Sequence, residues 1–225
     1  MTGTMDSTSQ IRVVIVDDDT MVRRLLTTIL HAKGMAVVAE CTDGDQVIDT
    51  VQAHFPDVVI MDIRMARVSG IDAARQLREL PHPPGVIAIT SFDTDAAIVD
   101  AIDAGVAGFL SKDSSPDDIA TAVQQVAAGE GALSHRAARV VLQQLQHGER
   151  SSTALFSQNL LAALTEREVA VVSLVAQGLS NSDVAQRLFI GEATVKTHLK
   201  SAMEKTGSEN RVQLATHAVR GGLVT

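Results

Sequence analysis

Five short apolar runs, spaced by longer amphipathic stretches, dominate the first half of the chain: IRVVIV (11–16), MAVVAE (35–40), DVVIM (57–61), GVIAIT (85–90) and AGFL (107–110). Runs of this length that are apolar on both faces are strands buried on both sides. The intervening spacing predicts helices over 20–32, 45–53, 71–80, 95–103 and 117–128. In the first of these, Val22, Leu25, Leu26, Ile29 and Leu30 share one stripe. The last starts with Ser115 as N-cap, Pro116 at the first helical position and Asp118 two residues on, and Gly129 and Gly131 stop it. Strand after strand, each followed by a helix, folds only as a parallel sheet with helices on both faces.

The second half carries no such alternation. Residues 134–147 read as one amphipathic helix, and 147–159 are polar and Ser-rich, a flexible joint. Thr165-Glu-Arg-Glu168 is then a capping box opening a helix that runs to Gln177, with Gly178 as its stop. Ser180 to Asp183 opens a second, ending at Leu188; a third spans Glu192 to Thr206, and a fourth Glu209 to Arg220. Short helices joined by a tight turn suggest a helix-turn-helix. On the third, Val195, Leu199 and either Ala202 or Met203 form the buried stripe, leaving Lys196, Thr197, Lys200 and Ser201 outside. Lysines one turn apart beside short hydroxyls suit a DNA major groove.

At 225 residues the chain has room for two modest domains, and charge separates them. The net charge of −8 lies entirely in the first half: residues 1–128 hold 9 Lys/Arg against 19 Asp/Glu, whereas 161–225 hold 7 against 6. A DNA-binding second half is therefore not excluded by the acidic total. The single cysteine, Cys41, excludes an intramolecular disulfide and a multi-cysteine zinc site, and the seven histidines form no ligand pair. Without Trp or Tyr, base stacking on single strands is disfavoured. No apolar run approaches the ~18–20 residues of a membrane span and the opening MTGTMDSTSQ is polar, so a cytosolic chain is expected.

Ligands of parallel α/β sheets sit beyond the carboxyl ends of the strands. That rule selects Asp17, Asp18 and Asp19 after the first strand, Asp62 after the third, Thr90 and Ser91 after the fourth, and Lys112 after the fifth. Neighbouring first and third strands bring their carboxylates together, where they repel unless a cation joins them. A hard divalent ion such as Mg²⁺ meets that need, and the hydroxyl and ammonium opposite suit a phosphoryl group with a carboxylate as nucleophile. Taken singly, each residue has a plainer reading: an aspartate there caps a helix, and a lysine is solvated. The coincidence of all four sets at the proper strand ends outweighs it.

On the motifs VVIVDDD, VVIMDIRM, AITSFD and AGFLSKD, residues 11–128 resemble the receiver domain of bacterial two-component response regulators. The stretch LTEREVAVVSLVAQGLSNSDVAQRLFIGEATVKTHLKSAMEK resembles the LuxR-type DNA-binding domain. The pairing is that of NarL/FixJ-type response regulators. The resemblance implies a flavodoxin-like (βα)5 receiver over 11–129, a linker over 130–160 and a helix-turn-helix domain over 161–225. It further implies Asp62 as phosphoacceptor and Asp17, Asp18, Asp62 and the backbone carbonyl of Arg64 as Mg²⁺ ligands. Lys112 would pair with the phosphoryl oxygens, and Thr90 and Phe109 would act as the switch. DNA contacts would come from Lys196, Thr197 and Lys200, with His198 either touching phosphate or capping locally. Implied partners are a sensor histidine kinase, an inverted-repeat operator in double-stranded DNA and a second copy of the chain when active.

Some positions depart from the family pattern. Ala66 stands where the receiver has proline, which predicts a looser loop. Gly191 replaces a Ser N-cap, and Ala202 and Thr206 replace larger apolar residues, which predicts a marginal helical domain. Arg64 and Phe92 occupy positions that tune phosphoaspartate lifetime in the family. Two other readings stand beside this one. A phosphohydrolase of the haloacid-dehalogenase type would use Asp17 as nucleophile and Asp19 as acid, but leaves Asp62 unexplained and expects Thr or Val at Met21. A regulator that binds DNA regardless of phosphorylation leaves the acidic site unexplained.

Overall fold

The computed structural model describes residues 10–91, 94–133, 157, 159–208 and 210–223. The predicted linker helix at 134–147, most of the joint that follows it, and Phe92 lie outside them. The first unit is β1 (Arg12–Val16), α1 (Thr20–Ala32), β2 (Ala36–Cys41), α2 (Val47–His54), β3 (Val58–Asp62), α3 (Gly70–Arg78), β4 (Gly85–Thr90), α4 (Asp95–Asp103), β5 (Gly108–Ser111), α5 (Pro116–Ala127) and β6 (Ala132–Leu133). The strands pair in parallel in the order β2-β1-β3-β4-β5-β6, a flavodoxin-like topology.

Strand periodicity divides the core in two. Val13, Ile15, Val58, Ile60, Ile87 and Ile89 face α1 and α5, while Val14, Val16, Val59, Met61, Val86 and Ala88 face α2, α3 and α4. Alternate residues point to opposite faces, so doubly apolar runs are what a sheet sandwiched between helices requires. β6 was not expected. It adds two residues to the sheet edge beside β5, in a stretch assigned to the linker and too short to show any period. The helix at 45–53 instead begins with a 3₁₀ turn at Gly44–Gln46 before α2.

The second unit is α6 (Glu166–Ala176), α7 (Asn181–Leu188), α8 (Glu192–Thr206) and α9 (Arg211–Arg220). The expected capping box forms at Thr165/Glu168, and a second one forms at Ser180/Asp183 where the next helix was expected to open. Its core is Val171, Val172, Val175, Val184, Val195, Leu199, Ala202, Leu214 and Ala218. Helix α9 begins at Arg211, with Asn210 as its N-cap: the asparagine side chain accepts from Gln213 N. Thr206 brings no unpaired polar atom into this core, since its hydroxyl donates to the carbonyl of Ala202 and also meets Ser208 Oγ at 2.8 Å.

The two units touch through the starts of α7 and α9. Asn210 Nδ2 donates to Gly105 O, and Asn181 Nδ2 donates to Glu130 Oε1, each at 2.8 Å. Val212 joins the apolar cluster of the sheet unit. It sits where Gly131 leaves room: a Cβ at that glycine would lie 2.5 Å from Val212 Cγ2.

Candidate phosphoacceptor site and DNA-reading helix

The chain leaves β1 toward one side and β3 toward the other, so a crevice opens at their carboxyl ends. Asp17 lies at its floor, fully buried. Its backbone is fixed by Arg23, whose guanidinium donates to Asp17 O at 2.7 Å and pairs with Glu40. Its Oδ1 accepts from Asp19 N. Asp62 ends β3, with Oδ1 accepting from Arg64 N at 3.1 Å. Asp18 is exposed at the rim, and the carboxylates of Asp17, Asp18 and Asp62 offer oxygens within 4.8 Å of one another.

Lys112 reaches in from the end of β5. Its Nζ lies 2.7 Å from Asp17 Oδ2 and 2.6 Å from Asp62 Oδ2. Burial raises the Asp17 pKa above the usual carboxylate range, and the lysine only partly offsets this. For Lys112 burial acts downward, but the carboxylates of Asp17 and Asp62 outweigh it and raise the pKa. Thr90 is buried at the end of β4, and its carbonyl accepts from Lys112 N, tying the two strand ends together. Phe109 is buried in the core one strand over, turned inward.

The donor set fits a hard divalent cation. The Lys112 contact with Asp17 Oδ2 is an ion pair without the direction of a hydrogen bond, and that buried oxygen has no directed donor among the described residues. Carboxylate oxygens in this number, with one left undirected, are what Mg²⁺ coordination uses. Asp19 lies apart from the cluster: it is the N-cap of α1, accepting from Met21 N.

The loop after β3, which lacks the family's proline at Ala66, is tied to the turn after β2. Asp43, buried in the turn after β2, accepts from Val68 N at 2.9 Å and from Arg67 N at 3.0 Å. Gly70 N donates to Ile63 O, and a Cβ at Gly70 would stand 2.1 Å from Asp62 O, so only glycine lets α3 begin this close to the end of β3.

On α8, Val195, Leu199 and Ala202 are buried, Met203 is half-buried, and Lys196, Thr197 and Lys200 are exposed. The Thr197 hydroxyl donates back to Ala193 O, leaving its oxygen free to accept. His198 is half-buried. Ser201 is not part of the exposed face: its hydroxyl donates to Glu168 Oε1 at 2.6 Å. Glu168, expected only as a capping residue, also takes Lys205 Nζ at 2.7 Å, which locks α6 to the far end of α8. Lys205 first, then Ser201, hold its pKa down at about 2.

A parallel sheet with an acidic trio and lysine at its carboxyl edge, followed by a capped helix-turn-helix, defines a response regulator. The chain belongs to the two-component response regulators with a LuxR-type DNA-binding domain. Residues 13–124 match the response regulator receiver domain, and 162–218 match the bacterial regulatory proteins of the luxR family. The transcriptional regulatory protein LiaR of Bacillus subtilis is 35% identical over 95% of this chain and 99% of its own length. The DNA-binding transcriptional activator DevR/DosR of Mycobacterium tuberculosis is 34% identical over 92% of this chain and 94% of its own. Among solved structures, the response regulator ChrA of a heme-sensing two-component system is 34% identical, covers 95% of this chain and 98% of its own, and superposes with a TM-score of 0.52. The chain is thus a transcription regulator, and among the described residues no helix is long and apolar enough to cross a membrane.

Proposed function

We propose that Asp62 accepts a phosphoryl group from the phosphohistidine of a sensor kinase, and that this acylphosphate controls dimerisation and DNA binding. The observation that carries the reading is the single ammonium of Lys112 held within 2.7 Å of both Asp17 and Asp62 at the β1/β3 crevice. An Asp62 oxygen attacks phosphorus, the P–N bond breaks as the P–O bond forms, and the imidazole departs and takes up a proton. Lys112 faces the charge that grows on the phosphoryl oxygens. Asp17, Asp18, Asp62 and the carbonyl of Arg64 would hold Mg²⁺, which when bound offsets the charge of carboxylates and phosphoryl together.

Thr90 ends its strand beside this centre, and Phe109 packs behind it, so a hydroxyl drawn toward a new phosphoryl group repacks β4, β5 and α4. Helix α4 is what α9 leans on. The reading therefore runs from Asp62 through α4 to release of α9 and pairing of two copies. Each copy then offers Lys196, Thr197, Lys200 and His198 of α8 to one half-site of an inverted repeat, about one helical turn (~10 bp) from the other. The working units are the receiver over 11–129, the linker over 130–160 and the DNA-binding domain over 161–225, acting in the cytoplasm as a regulator rather than an enzyme.

Intact mass after incubation with acetyl phosphate and Mg²⁺ tests the chemistry. One added phosphoryl group on the wild type and none on Asp62→Asn is expected. Equal incorporation in both would displace the phosphoacceptor from Asp62.

A further inference from the structure

We infer that Asp43 is a positioning residue for metal binding: by gripping the loop after the phosphoacceptor strand it presets the backbone carbonyl of Arg64. The inference rests on the Mg²⁺ reading above.

Asp43 lies outside the carboxylate trio, in the turn between β2 and α2, and is 3% exposed. Its two oxygens serve two consecutive amides of a distant loop, Oδ1 accepting from Val68 N and Oδ2 from Arg67 N. The Arg67 side chain adds its Nε at 3.5 Å and reaches on to Asp45. Burial works against the Asp43 charge, but the Val68, Arg67 and Gly44 amides and the Arg67 guanidinium together keep its pKa below the usual range. The next residue completes the grip. A Cβ on Gly44 would come within 2.5 Å of Val68 O, so the turn presses its backbone directly onto the loop.

The loop from Ile63 to Ser69 is consequently pinned at three places. Asp62 Oδ1 holds Arg64 N at its start, Asp43 holds Arg67 and Val68 in its middle, and Gly70 N holds Ile63 O at its end. Arg64 is bracketed by these ties. With Ala66 in place of a φ-fixing proline, the restraint on this segment comes from a side chain on another element instead of from the loop's own covalent ring. A carbonyl ligand held ready spares the ion the cost of ordering the loop, as outer partners of metal ligands do.

The test uses the full chain. Calorimetric titration with Mg²⁺ should give Asp43→Asn and Asp43→Ala dissociation constants raised about tenfold or more, the range typical for loss of an outer-shell partner. The Mg²⁺ concentration for half-maximal phosphorylation by acetyl phosphate should rise in step, while incorporation at saturating Mg²⁺ still reaches one group per chain. Arg67→Ala keeps both backbone bonds and should raise the Mg²⁺ dissociation constant far less than either Asp43 variant. Hydrogen exchange on the wild type needs no variant: the Arg67 and Val68 amides should already be protected without Mg²⁺. Unchanged Mg²⁺ affinity in both Asp43 variants, an Arg67→Ala loss as large as theirs, or amides protected only after Mg²⁺ is added would each overturn the inference. A wild type that binds no Mg²⁺ would overturn the underlying reading as well, and is a different result from a wild type that binds while the variants match it.

Discussion

Replacing Glu168 by Gln should loosen the hold of α6 on α8, and the size of the effect follows from the contacts. The carboxylate is 4% exposed and takes a hydroxyl from Ser201, an ammonium from Lys205 and the amide of Thr165. These hold its pKa at about 2 in the folded chain, against 4.5 for a free glutamate. At about 1.4 kcal/mol per unit this difference is worth about 3 kcal/mol. Lys205 keeps 34% of its side chain in water, so screening reduces the figure to about 1–2 kcal/mol. The folded pKa is the depressed one, so the stabilisation is complete above pH 4.5 and lost as pH falls toward 2. Glutamine keeps the shape and drops the charge. Hydrogen exchange followed by mass spectrometry on α6 and α8 of the intact chain should show opening about 5- to 30-fold more frequent in Glu168→Gln at pH 7. The gap should close as the pH is taken from 5 to 2. Equal exchange at pH 7, or a gap that persists unchanged at low pH, would show that packing rather than the ion pair joins the two helices.

Lys196→Ala and Lys200→Ala should each weaken binding to an operator duplex and lower the slope of log affinity against log salt by about one, measured by fluorescence anisotropy; an unchanged slope in both would remove this face from the phosphate contacts. Gly131→Ala should pry α9 from the sheet unit, because its Cβ would intrude to 2.5 Å from Val212 Cγ2. Small-angle scattering should then report a larger radius of gyration for the variant, and an identical profile would mean that the contact yields without opening.

Much of this architecture is legible in the chain because strands buried on both faces are written as unbroken apolar runs. Where the runs end, Asp17, Asp62, Thr90 and Lys112 follow from topology alone, and the structure brings Asp17, Asp62 and Lys112 together with Thr90 beside them. Residues whose partners lie far along the chain were not legible. Glu168 reads as a capping residue because Thr165 is three positions away, whereas Ser201 and Lys205 are 33 and 37 away. Asp43 reads as a turn aspartate, and nothing local points to the amides of Arg67 and Val68. Arg23 falls on the helix face between stripe residues, and its service to the Asp17 carbonyl appears only when α1 is laid against β1. The contact between units rests on Asn210 and Asn181, at the first turns of two helices, where an asparagine already has an ordinary local use.

The placement of α9 bears on how such a chain would search a chromosome. Val212 is tucked against the sheet unit while Lys196, Thr197 and Lys200 stay open to solvent. Under the proposed mechanism, side chains already open to solvent in this structure would skid along phosphates one copy at a time, with the short residence that a few screened charges allow. Under the proposed mechanism the signal alters valency: two linked surfaces rebind before either diffuses away, so residence lengthens by the effective concentration one exerts on the other. A resting pool already dispersed over the nucleoid would then answer a stimulus by pairing in place, without first having to travel there.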